Sequence, residues 1–264
     1  MIKNITLALL LTVFAGCSKV PISGRRQLHL LPESLMINMS LSNYSDVLKK
    51  TPPVAASDAN AQMINRVGQK IAAAVGKYVK QKKISSRTKG FKWEFKLIND
   101  HTVNAWCMPG GKVVVYTGLL AITKNENALA VVMGHEIAHA IARHGNERMS
   151  QGLLVQTGGL GLQVALMNKP QETQNVFMQS YGIGSQLGML KYSRVHESEA
   201  DKLGLVFCAM AGYNPNEAVD FWKRMSALGG AKPPQILSTH PSDETRIKDL
   251  KAFMPQAMKY YKPS

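Results

Sequence analysis

Two histidines and a glutamate in one five-residue window carry the strongest chemical signal: His135-Glu136-Ile137-Ala138-His139 has the form H-E-x-x-H. Side chains four apart on a helix stand one above the other, about 6 Å apart along the axis, so both imidazoles can reach one cation. Glu136 lies about 100° round the helix from His135, beside that cation. A carboxylate there can take a proton from a water that the metal activates. Ala128, Leu129, Val131, Val132 and Met133 precede the motif and predict a buried helix, where charge needs a partner such as a metal. With seven histidines in the chain, the motif arises by chance on the order of one time in a hundred or less.

A catalytic zinc takes three protein ligands and keeps one position for water. The segment from Tyr192 to Asp201 offers the third. Glu197 and Asp201 are four apart and share a helix face, whereas Glu199 faces elsewhere. One carboxylate of the pair can bind the metal while the other fixes its surroundings. The alternative is a solvated acidic helix start.

HEIAH, the later ESEAD and the late Thr239-His240-Pro241-Ser242 resemble, in that order, the motifs of the gluzincin metallopeptidases that include the CAAX prenyl endopeptidase and HtpX. With no spanning helix after its first residues, the chain is most similar to the soluble periplasmic branch of BepA and LoiP. The resemblance implies one Zn2+ per chain, held by His135, His139 and Glu197, with Asp201 as the partner of Glu197. It places Asn104-Ala105 on a strand beside the cleft that pairs with extended substrate, as peptides do when they extend a sheet. It puts His240 near the metal, in the open position or assisting the transition state. Arg246, one turn into the last helix, becomes available to a substrate carbonyl or oxyanion. The implied activity is zinc-dependent endopeptidase cleavage of unfolded or misassembled envelope proteins, with outer-membrane assembly machinery as a partner. The rival is a non-proteolytic chaperone or assembly factor that keeps zinc as a structural clasp.

These residues need a scaffold, and the pattern predicts one. Ser57 or Asp58 can cap a helix whose Ile64, Val67, Ile71, Ala74, Val75 and Tyr78 recur at three- and four-residue steps. Phe91, Trp93, Phe95 and Leu97 alternate with polar neighbours as a strand with one buried face. Thr102 to Met108 and Lys112 to Thr117 read as two more strands, joined by a Pro109-Gly110-Gly111 hairpin signal. Thr123 and Glu126 suggest a capping box for the motif helix, and Ser242 a cap for a last helix through Ile247, Leu250 and Phe253. Three early strands followed by helices give an α+β class, mainly helical, with a small sheet. Residues 149–190, rich in Met and Gly, read either as a buried helical hairpin or as a mobile flap.

At the start, Lys3, the apolar run Ile5 to Phe14, then Ala15, Gly16 and Cys17 have the layout of a lipoprotein signal. The expected domains are a signal peptide over 1–16, a lipidated tether and lead-in over 17–56 with one short helix near Glu33 to Tyr44, and the peptidase domain over 57–264. Lipidated Cys17 would anchor the protein to a membrane, expected to be the outer membrane with the protein facing the periplasm. Cys107 and Cys208 could pair as a disulfide or remain two buried thiols. His29, His101, His144 and His196 read as surface residues. The 264 residues are 45% hydrophobic and 19% charged, ordinary for a globular fold and not for a disordered one. Lys plus Arg number 32 against 17 for Asp plus Glu, a net charge of +15. The basic run from Lys77 to Lys92 reads as a solvated loop or a contact for anionic headgroups. It lacks the interleaved aromatics of a nucleic-acid platform, and the export signal also argues against that role.

Overall fold

The computed structural model describes residues 17–157, 170–181, 193–228, 236–237, 240 and 244–263. The signal segment, the Ser242 cap and much of the Met- and Gly-rich stretch lie outside the described residues. The segment read as a tether is folded onto the rest of the chain. Strands β1 (Cys17–Lys19) and β2 (Arg26–Leu28) pair antiparallel, with Cys17 opposite Leu28. Helix α1 runs over Glu33–Lys50, beyond the Tyr44 limit expected from sequence, because Val47 and Leu48 prolong its apolar face.

Helix α2 (Ala59–Gln81) begins where expected. The Asp58 carboxylate accepts from the amides of Asn60 and Ala61, and Ile64, Val67, Ile71, Val75 and Tyr78 are buried. A 3-10 turn at Ser85–Thr88 leads into strands β3 (Glu94–Ile98), β4 (Ala105–Met108) and β5 (Lys112–Tyr116). Gly110 and Gly111 adopt φ of 84° and 83°, a conformation that admits few side chains, and this closes the β4–β5 hairpin. The sheet order is β3-β5-β4, with β3 parallel and β4 antiparallel to β5.

Both faces of this sheet are covered. Phe95, Leu97, Ala105, Cys107, Val113 and Val115 enter a main core with the helices of the candidate site. Ile98, Trp106, Met108 and Val114 enter a second core with Met36, Met39 and Tyr44 of α1. The strict alternation follows from the two-residue period of a strand. Cys107 and Cys208 are free and buried.

Helix α3 (Thr117–Thr123) precedes α4 (Glu126–Ala142), the motif helix. The expected Thr123–Glu126 capping box does not form. Thr123 belongs to the last turn of α3, where its hydroxyl donates to the Leu120 carbonyl, and Asn125 caps instead by accepting from the Ala128 amide. Every residue from Ala128 to Ala142 is buried. Helices α5 (His144–Thr157) and α6 (Pro170–Ser180) pack on each other and supply Met149, Leu153, Val176 and Phe177 to the second core. Helix α7 (Arg194–Met210) lies along α4, and α8 (Glu217–Ala227) and α9 (Glu244–Met258) complete this side. Gly134 of α4 meets Gly204 of α7 so closely that a Cβ on Gly204 would lie 2.9 Å from the His135 nitrogen. No described helix is long and apolar enough to cross a membrane.

Candidate active site

Three elements bring four donors together. His135 and His139 come from one face of α4, Glu197 from the first turn of α7, and His240 from the segment before α9. Their ligand atoms all lie within 4.8 Å of one another, and all four residues are buried. The Nε2 atoms of His135 and His139 are 3.0 Å apart, and His240 Nδ1 is 3.2 Å from His135 Nε2. Glu197 Oε2 is 3.5 Å from His135 Nε2 and Oε1 is 3.4 Å from His139 Nε2. An ion with tetrahedral bonds of about 2.0–2.2 Å separates its donors by about 3.3–3.6 Å, close to these spacings. The set therefore fits a metal ion of that kind.

The surroundings favour positive charge. His135 Nδ1 lies 2.9 Å from Asp201 Oδ1, a bond that needs a proton on Nδ1 and turns Nε2 toward the cluster. Burial opposes a charge on His135, but hydrogen bonds with Asp201 and Glu197 outweigh it and raise its pKa to about 9. Burial would also raise the Glu197 carboxyl, yet the charges of His240 and Arg246 hold it well below the usual range. At His139 burial prevails and pushes the imidazole well below its ordinary value.

Arg246 takes a different place from the one expected. Its Nε and Nη2 donate to Asp201 at 2.8 and 2.7 Å, and Nη1 lies 2.9 Å from Glu197 Oε2. The guanidinium sits 3.3 Å over the Trp222 ring. Buried and turned toward these carboxylates, it fixes them instead of facing a substrate oxyanion.

Glu136 is buried beside the donors. Its Oε1 accepts no hydrogen bond among the described residues, and His240 Nε2 lies 3.6 Å away. Burial raises its pKa above the usual carboxylate range, toward the value of a group that both takes and returns a proton. Strand β4, with Ala105 at its start, runs against α4 at the edge of the sheet. Asn104, just before it, is buried and accepts from the Ala105 amide at 3.0 Å. The neighbouring Cys107 thiol is buried, and burial and the Glu136 charge push its pKa well up.

His144 and His196, read from sequence as surface residues, are buried. His144 Nδ1 is 3.0 Å from His139 Nδ1, and His144 Nε2 is 3.1 Å from Glu199 Oε2. His196 Nε2 is 3.0 Å from Glu147 Oε2. Arg25, from the β1–β2 turn, binds Glu147 and Glu199 together. Sequence reasoning missed Arg25, Glu147 and Glu199. In the basic run, Arg87 is also buried, donating to the carbonyls of Lys19, Ile141 and Ala142 and so tying the hairpin to the end of α4.

Residues 59–254 match the model of Peptidase family M48. The mitochondrial metalloendopeptidase OMA1 of Schizosaccharomyces pombe is 31% identical over 92% of this chain and 68% of its own length. That of Saccharomyces cerevisiae is 29% identical over 96% of this chain and 75% of its own length. The β-barrel assembly-enhancing protease of Escherichia coli is 28% identical over 79% of this chain but only 42% of its own length. The expected localisation, lipid-anchored at an outer membrane and facing the periplasm, is overturned by the mitochondrial relatives, which match nearly the whole chain. A family match over most of the chain, with H-E-x-x-H on a buried helix, makes the protein a metalloendopeptidase, and the chain belongs to peptidase family M48.

Proposed function

We propose that this protein is a zinc-dependent endopeptidase that cleaves unfolded or misassembled proteins. The observation that carries the reading is the buried quartet His135, His139, Glu197 and His240 with Glu136 beside it, whose Oε1 accepts no hydrogen bond among the described residues. His135, His139 and Glu197 would hold one zinc, with Asp201 orienting His135 and Arg246 fixing Asp201 and Glu197. When bound, zinc supplies Lewis acidity that polarises a peptide carbonyl and acidifies a water. Glu136 takes the proton from the attacking water at Oε1 and returns it to the leaving amine, a task that suits its raised pKa. An extended substrate would add to the sheet edge at Asn104-Ala105, held by backbone hydrogen bonds with little side-chain preference. That tolerance suits unfolded clients. The name of the Escherichia coli relative, a β-barrel assembly-enhancing protease, supports a link to β-barrel assembly.

The test is casein cleavage by the full chain, with zinc content measured in parallel. Glu136→Gln should keep zinc and lose turnover by about 10²–10⁴-fold. Cleavage that survives in this variant, or after zinc is stripped by a chelator, would sink the reading. A second reading draws on His240, whose Nδ1 lies 3.0 Å from Glu197 Oε1. Four protein donors form a closed set, as in structural zinc sites, and a chaperone could use such a clasp. His240→Ala separates the two. In a peptidase it keeps zinc and changes turnover, upward if His240 occludes the site and downward if it helps the transition state. Unchanged zinc, kcat and KM would remove His240 from both roles.

A further inference from the structure

The polar chain at the C-terminal end of α4 lies outside the chemistry described above, yet it ends on a residue read as a metal ligand. From His139 Nδ1 it passes to His144 Nδ1 at 3.0 Å, and from His144 Nε2 to Glu199 Oε2 at 3.1 Å. Glu199 also accepts from Arg25 Nε at 3.0 Å, from Arg25 Nη2 at 2.9 Å and from the Ser23 hydroxyl. Arg25 holds Glu147 as well, through Nη1 at 2.7 Å and Nη2 at 2.8 Å.

With both imidazoles neutral, only one arrangement of protons suits every member of this chain. A carboxylate only accepts, so His144 must donate to Glu199 from Nε2. A neutral His144 then offers a lone pair at Nδ1, and His139 must donate to it from its own Nδ1. That leaves His139 Nε2 as a lone pair directed at the other donors. The reverse order would set the Nε2 lone pair of His144 against the Glu199 carboxylate and put a proton on the ligand nitrogen of His139. The carboxylate–histidine support usual for metal ligands is here lengthened by one imidazole.

We propose that His144, Glu199 and Arg25 are positioning residues that set the tautomer and orientation of His139 for zinc, so that the N-terminal hairpin tunes the metal site. The proposal rests on the reading of His135, His139 and Glu197 as zinc ligands. Arg25 belongs to the relay because it neutralises Glu147 and Glu199 together, and Gln27 and Arg87 tie its hairpin to α5 and to the end of α4. Without the guanidinium the two carboxylates repel, and Glu199 is free to turn from His144.

The test uses the full chain, zinc(II) dissociation constants from chelator competition, and the d–d absorption of the cobalt(II)-loaded protein, which reads ligand geometry independently of activity. His144→Ala and Glu199→Ala should each weaken zinc binding by about 10–100-fold and alter the cobalt spectrum. Arg25→Gln should weaken it less, and should add nothing in the His144→Ala background, because its influence passes through His144. Should Glu199→Ala fail to fold, Arg25→Gln, at a partly exposed position, carries the comparison. Unchanged constants and spectra in the folded variants, or an Arg25→Gln effect of equal size with and without His144, would overturn the relay while zinc binding by the wild type stands. A wild-type protein that binds no zinc would overturn the metallopeptidase reading together with the relay.

Discussion

Two arginines brace the candidate metal site, one through Asp201 and one through Glu199, and they do it differently. Arg246 of α9 is buried over Trp222 and clamps Asp201, which touches His135 directly. Arg25, in the turn of a two-stranded hairpin, keeps 28% of its side chain exposed and clamps Glu199, which reaches His139 only through His144. The first support is dry, short and part of the main core. The second is longer and open to water at its end. A buried ion pair that loses one partner strands a charge that water cannot reach, whereas a partly exposed one can be rehydrated. His135 thus has a buried brace and His139 one that is open to water at its far end.

That contrast can be broken by measurement. Arg246→Ala should cost about 3–5 kcal/mol, because Asp201 and Glu197 remain buried without their cation. The midpoint of denaturant unfolding reads this, and zinc content should fall with it. Arg25→Ala should cost only about 1 kcal/mol in the same assay. Equal losses would mean that exposure does not distinguish the two clamps. The remaining effect concerns acid. Burial works against the charged Glu147 carboxylate, but hydrogen bonds from Arg25 and His196 outweigh it and lower its pKa to about 2. A carboxylate with a depressed folded pKa contributes stability that is complete above its unfolded pKa, about 4.5, and that fades as the pH falls toward 2. Glu147→Gln should therefore flatten the loss of stability between about pH 4.5 and 2. An unaltered acid limb would show that Arg25 does not hold Glu147 in solution.

The C-terminal clamp was far more legible in the sequence than the N-terminal one, for a local reason. His135, His139, Glu197 and Asp201 pair at four-residue spacings within single helices, so helix geometry alone groups them. His144 defeats the same arithmetic. Counted along an unbroken helix it points away from His139, but α4 ends at Ala142 and Arg143 takes φ of 62°, which swings His144 back under the ligand. Glu199 does face away from Glu197, as expected, and the face it occupies is covered by a hairpin 174 residues earlier in the chain. No periodicity connects such distant positions. The sheet was legible from alternation and from Pro109-Gly110-Gly111, while the cover of α1 on its second face was not, because the prolines around that helix suggested an irregular lead-in. The Arg246 misreading has the same source: its position in the last helix was visible, but not the carboxylates waiting for it.

The contact between Gly134 and Gly204 bears on how closely the donors of the site are held. Donors taken from two separate helices are only as close as the helix axes allow, and here the backbones already touch. That spacing suits small cations with bonds near 2 Å, whereas calcium, at about 2.3–2.6 Å, needs a wider ring of oxygens. A single methyl group at either glycine would meet the opposite backbone at 2.9–3.0 Å and push the helices apart, so the separation of Glu197 from the two histidines depends on two residues that carry no side chain at all.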